Sequence, residues 1–377
     1  MSERFTSLAE KIPALLPRCA DLRCLLGFDG TVDIICRVVR ERFGAGTDFD
    51  PFERIRDFGE HILKADGRSA LIEIFRQREK IGGNSPIMAN ALAATGLGID
   101  CIGAFGHPEI HPAYHDFAER VRVHSTAEPA ITHALEFDNG KVMLAALSSY
   151  ENINTETIRE TLGEHVMRKL IGQSGLFCLL NWSCLPGMDS IFDWLLDDIL
   201  PALPAADHSR IFFFDLADPS PRIAELTKAL ERIARFANHG RCVLGMNFNE
   251  TLLVCNALGI DQPGHTPDSL CNALAAIRSK LGIHMAMGHS MEFVACADNS
   301  GTASVDGIIT PKPVITTGAG DHLNAGFCLG LLLELDLPDA LALGVLFPGF
   351  YVREARPPTL SELPDFIARL QSNPSNV

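Results

Sequence analysis

The sequence predicts a three-layer α/β/α fold, with a mostly parallel central sheet between helices and a small β-sheet set apart as a lid. Three observations carry this. After about Gly175, short apolar runs alternate with helical segments, the pattern of parallel strands joined by crossover helices. Ile131 to Ala145 alternates around Asp138-Asn139-Gly140, a strong hairpin signal that suits a small layer shared with Thr31 to Val39. Glycine-rich turns precede helices at Lys80–Pro86 and again at Thr316–Asp321. The 377 residues are read as one domain over 1–377, with the lid inserted from about 31–42 and 128–148.

Composition narrows the function classes. A chain that is 47% hydrophobic and 21% charged can bury a large core. Its net charge of -15 argues against a nucleic-acid surface, although a helix start can bind a small anion locally. The eleven cysteines form no CxxC pair and sit mostly in apolar runs, as expected for reduced, buried thiols. Met1 to Phe5 opens no signal peptide and no run reaches membrane-spanning length, so a soluble, cytoplasmic protein without membrane partners is expected.

In chain order, Ser7 to Leu16 has apolar residues at helical spacing, with Pro13 set to break or kink the helix. Cys24 to Ile35 reads as a buried strand that leaves through Gly27-Phe28-Asp29-Gly30 and resumes as a second strand. Asp29, beside Gly30, reads as a turn residue. Asp33, between Val32 and Ile34, does not, and reads as a ligand-binding acid at a strand end. Asp48 to Leu71 is charged and mildly helical. Gly82-Gly83-Asn84 then opens a helix rich in small residues, and Gly98 to Gly106 is a strand leaving into a loop. Later strands are expected at Gly175–Leu180, Arg210–Asp215, Cys242–Met246 and His284–Met287. Helices are expected at Met188–Leu200, Arg222–Phe236, Glu250–Ala257 and Asp268–Leu281, and a polar tail follows Leu370.

Thr316-Thr317-Gly318-Ala319-Gly320-Asp321 is the most informative stretch. The free N–H groups and dipole of a helix start attract anions, and glycine lets another group approach the backbone closely. Asp321 is then either a cap or a proton acceptor beside a bound phosphate. Asp215 and Asp218 end another strand and suit loop caps as well as ligand contacts; Asn181 and Ser183 are placed to reach a substrate. His322 needs no catalytic role at an exposed helix start.

Together these residues resemble the ribokinase/PfkB superfamily of carbohydrate kinases, over about Leu25 to Gly349. Gly318-Ala319-Gly320-Asp321 is similar to its C-terminal signature, Gly82-Gly83-Asn84 with the following alanine-rich helix to its N-terminal one, and Asn247-Phe248-Asn249-Glu250 to its Asn-x-x-Glu motif. The resemblance implies an ATP-dependent phosphotransferase with Asp321 as general base and the N–H groups of Gly318, Ala319 and Gly320 as an anion hole. It places Mg²⁺ at Asn247 and Glu250, with a first-turn helix acid as the plainer reading of Glu250. Asp33, Gly83 and Asn84 would bind the sugar hydroxyls, and Gly288 and Asn324 would border the nucleotide. A lid of this type carries a dimer contact in the family, which implies a homodimer through the lid.

The departures matter as well. Ile315 stands where many members have an acid that helps build a monovalent-cation site, so that site is in doubt. Gly288-His289-Ser290-Met291 lacks a second glycine common in the nucleotide loop. Arg37, Arg40 and Lys141 read equally as anion ligands or strand-edge charges. A nucleoside kinase of the same fold and a non-catalytic sugar- or nucleotide-binding protein are the alternatives. No G-x-G-x-x-G after a strand supports a dehydrogenase.

Overall fold

The computed structural model describes residues 3–204 and 209–372, so the end of the polar tail, 373–377, lies outside the described residues. The strands, in chain order, are β1 (Arg23–Gly27), β2 (Thr31–Arg42), β3 (Phe49–Pro51), β4 (Ile74–Gly82), β5 (Gly98–Ala104), β6 (Arg122–Ala127) and β7 (Ala130–Phe137). They continue as β8 (Gly140–Ala146), β9 (Leu176–Leu180), β10 (Ile211–Asp215), β11 (Arg241–Asn247), β12 (Met285–His289), β13 (Phe293–Ala297) and β14 (Thr302–Asp306).

Short strands apolar on both faces build the central sheet. Along β10, Ile211 and Phe213 join Leu8, Met88, Phe327 and Leu343 on one side, while Phe212 and Phe214 join Ile191, Leu230 and Leu274 on the other. Each such side chain contributes roughly 1.5–3 kcal/mol when fully buried, so both faces must be covered and three layers result. The sheet runs β14-β13-β12-β11-β10-β9-β1-β5-β6 and is parallel except at the β12–β13–β14 edge. β1 lies between β5 and β9, so the chain winds away in opposite directions on its two sides. The crevice past Gly27 and Leu180 is therefore a topological switch point, where open α/β sheets place ligands.

The helix Ala319–Leu332 is buried on every side from His322 to Leu332 and packs against helices Leu337–Glu354 and Asn84–Ala93. A helix apolar all round belongs in the interior, and this one carries its glycine turn to the switch point. The small sheet runs β3-β2-β7-β8, with β4 also paired to β2. It has its own core of Cys36, Val38, Phe52, Phe58, Leu135 and Phe137. The hairpin expected around Asp138-Asn139-Gly140 is the β7–β8 pair.

Several elements differ from expectation. The leading helix spans Glu3–Cys19 with Pro13 and Pro17 inside it. Phe5, Leu8, Ile12, Leu15 and Cys19 bury one face, and that packing outweighs the roughly 3 kcal/mol local penalty of an interior proline. The charged 48–71 stretch holds β3 and the helix Ile55–Leu63, whose Phe58 closes the small core. Strand β4 was not expected: Arg76-Gln77-Arg78-Glu79-Lys80 shows no apolar alternation, and pairing with β2 makes it a strand. Met188–Trp194 is α-helical but Leu195–Ile199 continues as a π turn. All eleven cysteines are free. Among the described residues no helix is long and apolar enough to cross a membrane.

Candidate active site

Asp29 is the first correction to the sequence reading. It is a fully buried carboxylate at the switch point, not a surface turn residue. It accepts hydrogen bonds from the backbone N–H groups of Asn84 (2.7 Å) and Ser85 (2.8 Å) and from Asn181 Nδ2 (2.8 Å). It thus occupies the positive end of the helix Asn84–Ala93. Gly83, at φ 91°, makes this possible: a Cβ there would lie 2.8 Å from Asp29 Oδ2. The double glycine serves a second carboxylate too, because a Cβ on Gly82 would lie 2.6 Å from the Asp33 carboxyl.

Asp33 sits on β2 directly opposite Lys80 on β4, with Nζ 3.8 Å from Oδ2. Burial raises its pKa, and the charges of Lys80 and Lys141 pull it back down. Lys80 is shifted downward, by burial first. These groups line a cavity of about 120 Å³ together with Arg78, Thr316 and Thr317. Lys141 reaches from β8 to bond the Thr317 hydroxyl, so the small sheet touches the glycine turn. Arg37 and Arg40 pair instead with Asp138 and Asp50.

The turn itself is braced by His322, which is 1% exposed rather than at an open helix start. Its Nδ1 lies 2.7 Å from the Gly318 carbonyl oxygen, and its ring stacks on Tyr351 at 3.6 Å. The Tyr351 hydroxyl in turn donates to the Thr317 carbonyl (2.8 Å). Burial pushes the His322 pKa down to about 4, so it is neutral. Gly318 takes φ 91°, and the Ala319 N–H donates to the Thr316 carbonyl (3.2 Å). Asp321 follows, half-buried, with the Asn84 side chain among the groups acting on its carboxyl. Burial, and then the charges of Asp215 and Asp29, hold its carboxyl well above the usual carboxylate range.

Further acids close the cluster. Asp215 accepts from the Ala217 N–H (2.8 Å) and from Asn324 Nδ2 (2.7 Å), combining the loop-cap role with a link to the signature helix. Asp218 caps its loop, accepting from Ser220, and its charge also acts on Glu250. Asn247 and Glu250 form a capping box: Glu250 Oε2 accepts the Asn247 N–H (2.8 Å), Oε1 accepts Asn247 Nδ2 (2.6 Å), and Asn247 Oδ1 accepts the Glu250 N–H (2.9 Å). Burial and the Asp215 charge nevertheless raise Glu250 to about 8.

The donor set fits a hydrated divalent cation. The Asp215 charge raises both Glu250 and Asp321, Asp29 raises Asp215, and no basic side chain is among the groups acting on the three. Among the described residues, the buried amide oxygens of Asn181 and Asn324 have no hydrogen-bond partner. Among the described residues no group of three or more His, Cys, Asp or Glu side chains could ligate a metal directly. Contact through waters, which magnesium retains readily, meets both observations.

On the other side of the turn lies an apolar cavity of about 730 Å³, walled by Phe293, Val345 and Val352 and reaching Ala319 and Gly320. Gly288 and Asn324 do not line it: Gly288 packs against Leu270, Leu274 and Thr251, and Asn324 points to Asp215. His289, Ser290 and Met291 line it instead, and sequence reasoning had passed over His289. Ile315 is an aliphatic wall of the smaller cavity.

A ribokinase-like kinase architecture is defined by this sheet, switch point and glycine turn. The structure is similar to an adenosine kinase from Sinorhizobium meliloti (TM-score 0.64, 18% identity, covering 93% of this chain and 99% of that one). It is similar also to a ribokinase from Thermotoga maritima (TM-score 0.58, 14% identity, covering 92% and 99%). The chain belongs to the prokaryotic ketohexokinase family, whose model matches residues 2–370. A ketohexokinase from Haloferax volcanii is 27% identical over 347 residues, covering 91% of this chain and 90% of the relative. The chain is a carbohydrate kinase.

Two stability outcomes follow from this geometry. Gly83→Ala forces a side chain against Asp29 at a positive φ and is expected to cost about 1–3 kcal/mol; an unchanged thermal midpoint would contradict the Asp29 arrangement. For Asp321 the folded pKa lies above the unfolded value, so its ionisation opposes folding. Stability from this group is intact below about pH 4 and declines as pH rises toward the folded value. Asp321→Asn is therefore expected to raise the midpoint by roughly 2–4 °C at pH 7, with the gain vanishing in acid. A gain that grows toward acid would refute the sign.

Proposed function

We propose that this kinase transfers the γ-phosphoryl group of ATP to a hydroxyl of a ketohexose, with Asp321 as general base. One observation carries the reading: the turn ending in Asp321 is the wall between the small polar cavity and the large apolar one, and Thr316 lines both. A sugar on the Asp33 side and a nucleotide on the Phe293 side would meet at this turn.

Asp33 accepts hydrogen bonds from sugar hydroxyls, with Gly82 against its carboxyl and Gly83 and Asn84 next in the chain, where Asn84 acts on the Asp321 carboxyl as well. Asp321 takes the hydroxyl proton as that oxygen bonds to the γ-phosphorus and ADP leaves. The N–H groups of Gly318 and Gly320 face the charge on the transferring group; the Ala319 N–H is held by the turn. Such preorganised donors contribute on the order of 10²–10³ in rate each. Magnesium, held through waters by Asn247 and Glu250, would neutralise phosphate charge. The small sheet serves as a lid over the sugar, excludes water and delivers Lys141 to the turn. Among the described residues no aromatic ring lines the sugar-side cavity, which favours a sugar over a nucleoside that needs a stacking surface.

Coupled detection of ADP across ketohexoses, aldohexoses and nucleosides tests the substrate class. Turnover confined to nucleosides would overturn the reading. Asp321→Asn is expected to lower kcat at least 10³-fold, and wild-type kcat/KM to fall in acid with a midpoint above the roughly 3.9 of free aspartate. Near-normal turnover of the variant would remove Asp321 as base. Lys141→Met is expected to lower kcat about 10–100-fold while leaving the thermal midpoint within a degree or two; an effect on sugar KM alone would restrict Lys141 to substrate binding.

A further inference from the structure

We propose that His289 is a positioning residue for the donor's phosphate chain, donating an imidazole N–H to a phosphate oxygen between the apolar cavity and the Gly318–Gly320 turn. This rests on reading the apolar cavity as the nucleotide site. His289 ends β12 in register with Asn247 on β11, so it joins the row of strand ends at the ligand crevice. It lines the apolar cavity together with Gly320. A Cβ on Gly320 would lie 3.7 Å from His289 Cε1 and 3.9 Å from Nε2, so the ring lies against the helix start that receives the anion.

Its chemistry is unspent. Neither ring nitrogen has a hydrogen-bond partner among the described residues, in contrast to His322, whose Nδ1 braces the Gly318 carbonyl. Burial alone holds the His289 pKa down at about 4, so the ring is neutral and offers one N–H and one lone pair. A nucleotide with its base against Phe293, Val345 and Val352 must run its phosphates past this ring to reach Gly320.

The test measures ADP binding by calorimetry, without sugar, for wild type, His289→Phe and His289→Gln. Phenylalanine fills the space without a donor, and glutamine restores one at similar reach. The expected result is about tenfold weaker ADP binding for His289→Phe and recovery to within threefold for His289→Gln. In steady state, KM for ATP should rise in His289→Phe with kcat and sugar KM nearly unchanged. ADP affinity within twofold of wild type in His289→Phe, or equal loss in both variants, overturns the proposal. Because ADP binding needs no sugar, failure of the ketohexose reading appears separately, as wild-type protein that binds ADP but phosphorylates no ketohexose.

Discussion

The carboxylate of Asp29 is the constraint on which the site depends. Its three bonds reach both helix-start N–H groups of the Asn84–Ala93 helix and the amide of Asn181 beyond β9. With these the end of β1, the start of that helix and the end of β9 become one rigid corner. Asn84 is also among the groups acting on the Asp321 carboxyl. The small-residue helix faces and glycines that surround this corner leave room for buried carboxylates to meet backbone directly.

That corner is built against stability. Asp215, Glu250 and Asp321 are all pushed upward by burial and by a neighbouring aspartate: Asp29 acts on Asp215, and Asp215 on the other two. A stable fold has no need to bring acids together in this way, since an unpaired buried charge costs several kcal/mol. Under the proposed function, a cation and a phosphate-bearing partner would complete this socket. The basic groups lie on the opposite side of the turn: Lys80 and Lys141 face Asp33 from the small sheet.

The three-layer architecture was legible because two-faced apolar runs such as Phe212-Phe213-Phe214 have few other places to go. The two glycine signatures were legible because dihedral freedom at a helix start is a local property. Asp29 was misread, since an Asp-Gly pair after a strand satisfies local turn chemistry, and only the distant helix start at Asn84 gives it another partner. His322 was misplaced for a similar reason: its helix is covered by Leu337–Glu354, a segment whose packing the local pattern does not announce. β4 was missed because its polar run has no periodicity of its own.

The sequence by itself determined the alternation of strands and helices after Gly175, the hairpin, the two glycine turns and the acid at the start of the central helix. These depend on residues within a few positions of one another, where propensity and dihedral preference act. The tertiary structure alone decided which acids share a cluster and which cations stay outside it. Asp29 meets Asn84 across 55 residues, Asn324 meets Asp215 across 109, and Lys141 meets Thr317 across 176. Such pairings carry no local signature, because the free energy that makes them comes from burying the elements that hold them.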